Sequence, residues 1–374
     1  MPGIYIHIPF CRQACHYCDF HFSTDLKNKE KMVEMICREL TMQQDYLSQK
    51  NISTIYFGGG TPSLLEAVQL KRIMNTIAQH FTIEKNAEIT LEANPDDLDQ
   101  ASLRAFRESG INRLSIGIQS FDDEALRYMN RAHQAKQAED SVRLAQQEGF
   151  DNISIDLIYG VPSPDHTIWQ RDLDKALTLG VQHISSYCLT IEADTVFGKR
   201  KEKGSLAPEN EEYNAQQFEL LVHTLEKNGY EQYEVSNFSK PGFISRHNSN
   251  YWHSEFYLGV GPGAHSFDGK SRQYNLENNP RYILAIEQGM LPFSKEDLDQ
   301  KTRANEYIMT RLRTKWGIDV QVLENQFGIP FETIREIVKK YREMDFLQQD
   351  KTTLKLTKKG LLFADKITED LFII

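Results

Sequence analysis

Short runs of apolar and β-branched residues recur along the first half of the chain, at 4–8, 54–57, 88–91, 113–118, 153–158 and 183–189, and each reads as a buried strand. Between them, residues 29–47, 64–80, 100–109, 135–148, 168–179 and 211–228 carry apolar positions at helical spacing, several opening at a polar cap and closing at Gly or Asn. Strands that alternate with helices imply parallel βαβ units with right-handed crossovers. Six such units predict an α/β fold, an incomplete (β/α)6 barrel of the TIM type that falls short of the eight units needed for closure.

Beyond residue 235 the pattern changes. Residues 280–292 read as a connecting segment, punctuated by Asn-Asn-Pro and Gly-Met-Leu-Pro. Helical spacing returns at 302–315, 320–327 and 331–345, followed by a strand-turn-strand pattern over 346–356 and a last helix from 359. Three helices and a hairpin predict a C-terminal winged-helix-like α+β module. The expected division is therefore 1–235 for the barrel, 236–295 for an intermediate segment and 296–374 for the C-terminal module. Modules of this kind often bind DNA through the third helix. Residues 301–374 hold 14 Lys and Arg against 11 Asp and Glu, a weak basic footprint, and the whole chain carries a net charge of −10. Phosphate neutralisation needs clustered cations, so no nucleic-acid partner is expected.

Composition narrows the class further. The 374 residues are 40% hydrophobic and 26% charged, which is the make-up of a globular chain with a sizeable core. No apolar run approaches the roughly 20 residues that span a bilayer, and no secretory signal opens the sequence, so the expected location is the cytoplasm, with peripheral contact to a membrane left open. Five cysteines in such a chain do not suggest a disulfide framework. Cys37 and Cys188 stand alone in apolar surroundings and read as small buried side chains. Cys11, Cys15 and Cys18 are crowded into eight residues.

The polar residues that interrupt the strands gather at one end of them. The cysteine loop follows the first strand, Gly58, Gly59, Gly60 and Thr61 follow the second, and Glu92 ends the third. Gln119 ends the fourth, Asp156 lies in the fifth and Tyr187 lies toward the end of the sixth. In parallel βα folds the site forms at the carboxyl ends of the strands, so these groups should converge. Three thiolates spaced C-x3-C-x2-C can hold three corners of a [4Fe–4S] cubane and leave the fourth iron without a protein ligand. That iron can chelate the amino and carboxylate groups of a methionine moiety. A zinc site completed by His7, His16 or His21 is the competing reading of the same loop, and a disulfide pair is a third.

With the aromatic Tyr17 before its third cysteine and a glycine-rich turn after the second strand, the loop resembles the radical S-adenosylmethionine superfamily. Within that superfamily, Tyr-Ile-His-Ile-Pro-Phe-Cys, Phe-Gly-Gly-Gly-Thr-Pro-Ser, Ser-Ile-Gly-Ile-Gln-Ser-Phe and Asp-Leu-Ile-Tyr-Gly-Val-Pro resemble the oxygen-independent coproporphyrinogen III dehydrogenases and their relatives, the heme chaperones. The resemblance implies a [4Fe–4S] cluster on Cys11, Cys15 and Cys18, with S-adenosyl-L-methionine held by Tyr5, Gly58, Gly59, Gly60, Thr61, Glu92, Gln119, Arg131, Asp156 and the backbone near Cys188. In that role Arg131 would offer a bidentate fork to a carboxylate, and the glycines would let backbone approach the cofactor. It also implies a C-terminal domain packed near the barrel opening as a lid or docking element.

Two departures separate the relatives. The dehydrogenases carry a fourth cysteine two residues after the third, where this chain has Phe20, and a longer segment before the cluster. Both favour the chaperone branch. His247-Asn-Ser-Asn-Tyr251-Trp252 resembles the H-N-x-x-Y-W motif associated with heme binding in that branch, which implies heme contacts from His247, Tyr251 and Trp252, with His265 as a rival iron ligand. The expectation is a heme chaperone that delivers heme to apo-hemoproteins, those of the respiratory chain among them, with a homodimer left open. The alternatives are a coproporphyrinogen III dehydrogenase and an iron- or oxygen-sensing DNA-binding regulator.

Overall fold

A computed structural model describes residues 2–206 and 208–373. Six parallel strands stand side by side in chain order: β1 (Gly3–Ile8), β2 (Asn51–Gly59), β3 (Thr82–Ala93), β4 (Arg113–Gln119), β5 (Ile153–Tyr159) and β6 (His183–Cys188). Their crossovers carry α1 (Lys29–Met42), α2 (Ala67–His80), α3 (Gln100–Glu108), then the short α4 (Asp123–Tyr128) with α5 (Ala135–Gln147), and α6 (Thr167–Leu179). Local chemistry sets the boundaries. Asp99 and Ser102 close a reciprocal cap on α3, and Gly180, at a left-handed φ of 66°, ends α6. Ile4, Ile6, Ile55, Leu91, Leu114, Ile116, Ile155 and Ile184 all fall in one continuous hydrophobic cluster with the buried faces of the helices, which is why these strands are legible as apolar runs.

The sheet does not stop at six strands. After α7 (Val196–Glu202) and α8 (Glu211–Lys227), β7 (Glu231–Glu234) and β8 (Asn237–Ser239) add antiparallel to the β6 edge. The helix α9 (Arg246–Trp252) follows, and β9 (Tyr257–Val260) then pairs parallel with β1. β10 (His265–Phe267), β11 (Ser271–Asn275) and β12 (Phe293–Asp297) extend that edge antiparallel, giving an open 12-stranded sheet. The barrel is incomplete, as expected. The segment expected to be a plain connection is not one, because α10 (Asn279–Glu287) opens there with an Asn278 cap and a first-turn proline. It packs its Tyr282 beneath α1, where the buried Glu39 accepts from Tyr282 Oη, Asn275 Nδ2, Gln43 Nε2 and Gly261 N–H.

The C-terminal portion has winged-helix order, α11 (Gln300–Leu312), β13 (Ile318–Asp319), α12 (Val320–Phe327), α13 (Arg335–Glu343), β14 (Leu347–Asp350) and β15 (Thr353–Leu356), with β15 central in its small sheet. Two short helices, α14 (Lys358–Leu361) and α15 (Ala364–Asp370), complete it. It buries a hydrophobic cluster of its own around Ile308, Leu323, Val338 and Leu354. Backbone bonds from Val235 N–H to Arg313 O and from Lys315 N–H to Tyr233 O tie it to the β7 end of the large sheet.

Candidate functional site

The three clustered cysteines sit on a strap between β1 and α1 whose shape is fixed from several sides. Cys11 N–H donates to Ser23 O and Ser23 N–H to Pro9 O, which pinches the loop shut at its base. At its tip, Asn130 Nδ2 donates to Ala14 O, Gln13 Nε2 to Asn130 O, and His16 N–H to Met129 O. The loop after α4 is therefore a template for the cysteine strap. Asn130 reaches this position at a left-handed φ of 58°, a conformation Asn tolerates better than most residues.

All three thiols face a cavity of about 1110 Å³ at the carboxyl ends of the strands. Thr61 Oγ1 donates to Cys11 Sγ at 3.3 Å, and Arg131 Nη1 approaches Cys15 Sγ at 3.3 Å. Burial raises the Cys11 thiol and pushes Cys18 up to about 11. Among the described residues no three His, Cys, Asp or Glu side chains converge closely enough to grip a single metal ion. His7 is bonded at both nitrogens, Nε2 to His21 O and Nδ1 to Tyr5 Oη, whereas His16 bonds Tyr128 O through Nδ1 alone.

Gly59, Gly60, Thr61, Glu92, Gln119, Arg131, Asp156 and Cys188 line the same cavity, as the strand-end argument expects. Each is aimed by a distinct device. Gln119 sits at a φ of 65° where the β4–β5 register slips, a strained turn that points its amide inward. Glu92 accepts from Tyr56 Oη at 2.7 Å and Gly59 N–H at 3.1 Å. Burial, opposed by those donors, raises it to about 7, and burial likewise raises Asp156 to about 6. Arg131 donates from Nη2 to Asn94 Oδ1 at 2.6 Å and to Gly117 O at 2.8 Å, while its buried Nε has no partner. A buried orphan donor beside the cysteines is a place for an anionic group.

Several expectations need correction. Most of the Arg131 fork is already spent on Asn94, Gly117, Cys15 and Tyr17, so it pins the cysteine loop, and its buried Nε is left without a partner. The glycines answer first to the protein: a Cβ on Gly60 would lie 2.6 Å from Phe10 O and 2.7 Å from Ile8 O, and one on Gly58 would lie 2.9 Å from the Tyr56 ring. Gly58 and Tyr5 lie outside the cavity, and the Tyr5 ring stacks on Tyr56 at 6.1 Å. Cys188 is not a core side chain; it is half-buried on the cavity wall. Residues that the sequence reading missed complete that wall, with Tyr159, Phe218, Leu361, Leu362 and Phe363 supplying apolar surface and Asn94 holding both Thr61 and Arg131. The C-terminal portion thus closes one side of the opening.

α9, which carries His247, Tyr251 and Trp252, lies at the opposite, amino-terminal end of the strands, with the Tyr251 side chain reaching back to a pocket beside the cysteine loop. α9 plugs the barrel floor there, its first N–H groups capped by the Glu88 carboxylate at 2.9 and 3.0 Å. His247 is 2% exposed, with Nδ1 bonded to Thr54 Oγ1 at 2.8 Å and Nε2 to Tyr251 Oη at 2.9 Å, and its ring stacks on Tyr56 at 5.0 Å. Burial lowers its pKa to about 3, leaving a neutral imidazole whose two nitrogens are both engaged. As folded here it is a core residue and is not presented to an iron. Tyr251 lines a second, smaller pocket with Phe20, His21 and His265. Trp252 is half-buried with its Nε1 unpartnered.

Comparison with known proteins agrees with this layout. The radical SAM superfamily model matches residues 5–171, and the HemN C-terminal domain model matches residues 298–363. The chain is 36% identical over 366 residues to the heme chaperone HemW of Lactococcus lactis, covering 98% of this chain and 96% of that protein. It is 32% identical over 371 residues to HemW of Bacillus subtilis, covering 98% of each. Among solved structures, the coproporphyrinogen III oxidase HemN of Escherichia coli superposes with a TM-score of 0.86 at 20% identity, covering 99% of this chain and 90% of that one, which shows a shared fold.

Proposed function

The chain belongs to the family of the heme chaperones HemW, and on that premise we propose that it binds heme and passes it to apo-hemoproteins, respiratory hemoproteins among them. The relation along the full chain to heme chaperones of several bacteria carries the reading. Phe20 points the same way, since it places an exposed phenyl ring where the dehydrogenases have a further thiol.

Cys11, Cys15 and Cys18 are the residues to hold a [4Fe–4S] cluster, and Glu92, Gln119, Arg131 and Asp156 the ones to hold S-adenosyl-L-methionine beside it. When bound, the cluster supplies an electron donor and one open iron able to chelate an amino acid. The chain's own contribution is placement. Asn94 and Gly117 O hold Arg131 against Cys15, Thr61 bonds Cys11, and the raised carboxyls of Glu92 and Asp156 can take or give a proton near neutrality. The wall formed by Leu361, Leu362 and Phe363 limits water on one side.

Among the described residues no helix is long and apolar enough to cross a membrane. We place the protein in the cytoplasm, and delivery to respiratory hemoproteins calls for peripheral contact with the membrane that carries them. The test is anaerobic reconstitution followed by hemin titration and mixing with apomyoglobin. The proposal expects a Soret band and heme transfer. Conversion of coproporphyrinogen III to protoporphyrinogen IX by the same preparation would establish the dehydrogenase instead.

A further inference from the structure

We infer that the iron of a bound heme is taken by His265 on β10, in the pocket beside the cysteine loop, and not by His247; the inference rests on the heme-chaperone reading above. An iron ligand must present a free nitrogen lone pair, and the two imidazoles differ on that count. Both ring nitrogens of His247 are bonded inside the floor. His265 is exposed and makes no ring hydrogen bond among the described residues; its contact is a stack on Tyr274, with centroids 5.6 Å apart and planes at 29°. Partial burial and the nearby Arg272, opposed by Glu277, lower its pKa, which favours the neutral form that can donate a nitrogen pair.

The surroundings suit a porphyrin. The pocket, about 330 Å³, is lined by Phe20, Tyr251 and Tyr257 with His265 and His21, and the Asp19 and Glu277 carboxylates stand at it as well; His21 gives its Nε2 to Asn279, and His265 gives neither nitrogen away among the described residues. Phe20 is 68% exposed and Tyr274 42%, with Leu276 at 40% on the same β11 end, so flat apolar surface continues outside it. A pocket of this size takes only part of a porphyrin. The remainder would lie on the exposed rings, an arrangement suited to release. Tyr251 is then the member of the 247–252 motif that reaches the ligand. Phe20 and Cys18 share one loop, so a porphyrin resting on Phe20 also touches the strap that carries the cluster ligands.

The test is hemin titration of the full-length protein, wild type against His265→Gly, His265→Gln and Phe20→Ser, followed by Soret absorbance and by thermal melting. We expect both His265 variants to bind hemin about tenfold more weakly with a shifted Soret band, to melt as wild type does, and His265→Gly to recover the wild-type band when imidazole is added. Phe20→Ser should weaken binding severalfold without moving the band. Wild-type affinity and spectrum in both His265 variants would overturn the inference while leaving the chaperone reading intact. A wild-type protein that binds no hemin would overturn that reading and this inference together.

Discussion

The two ends of the barrel are built from the same kinds of residue and do opposite things. At the floor, Thr54, His247 and Tyr251 bond one another under an α9 capped by Glu88, and Ser154, His183 and Tyr233 form a second bonded set, with Arg113 Nε and Trp252 Nε1 among the exceptions in the described residues. At the mouth, Cys11, Cys15, Cys18, Gln119 and Arg131 line open space, and Arg131 Nε lacks any partner. Polar groups that satisfy one another hold a fold together. Polar groups left facing a cavity are held ready for a ligand, and the cost of leaving them unpaired is borne by the rest of the structure.

Substitutions at the two ends should separate these roles, beginning with the largest effect. Replacing any one of Cys11, Cys15 or Cys18 by Ser should abolish iron and sulfide incorporation on anaerobic reconstitution while leaving the far-ultraviolet circular dichroism unchanged, because the thiols carry little of the core. His247→Ala should do the reverse. It leaves Thr54 and Tyr251 with lost partners in a buried setting and should cost about 2–4 kcal/mol in urea unfolding, with iron content retained in the folded fraction.

Arg131→Lys should fall between them. A lysine ends in one nitrogen and cannot reproduce the contacts that Nη1 makes to Cys15 and Nη2 makes to Asn94 and Gly117 O, so the cysteine strap loosens, and iron content after reconstitution should drop severalfold without global unfolding. The smallest effect concerns pH. Glu92 is raised from its ordinary value to about 7 when folded, so its contribution to stability is complete below the unfolded carboxylate range and is lost as pH rises toward and through 7. Thermal melts between pH 5 and pH 8 should show the wild type losing stability with rising pH, and Glu92→Gln should flatten that slope; an unchanged slope would mean that another group sets it.

The contrast also explains what could be read from the sequence. The central parts of strands β1 to β6 are short, largely buried apolar runs, and their crossover helices have a clear apolar stripe, so both are visible to periodicity, whereas the largely exposed Thr-Ile-Glu-Lys-Asn start of β3 is not. Nor are the edge strands. β11 reads Ser-Arg-Gln-Tyr-Asn and β12 Phe-Ser-Lys-Glu-Asp, short polar pieces whose identity comes from pairing with each other, and α9 reads Arg-His-Asn-Ser-Asn-Tyr-Trp with no helical stripe at all.

The three cysteines were legible because their chemistry is local. The cavity wall at residues 361–366 was not, since it is brought to the mouth by packing across more than a hundred residues of chain. The engagement of both His247 nitrogens was hidden for a related reason. A motif names the residue type, whereas the availability of its nitrogens depends on Thr54, which arrives from a distant strand.

The most direct test of the mouth as a cluster site with one vacant iron is the electron paramagnetic resonance spectrum of the reduced, reconstituted protein with and without S-adenosyl-L-methionine. The account predicts a [4Fe–4S] signal whose shape changes when the compound is added. A signal that does not respond, or a protein that retains zinc and gives no signal, would contradict it.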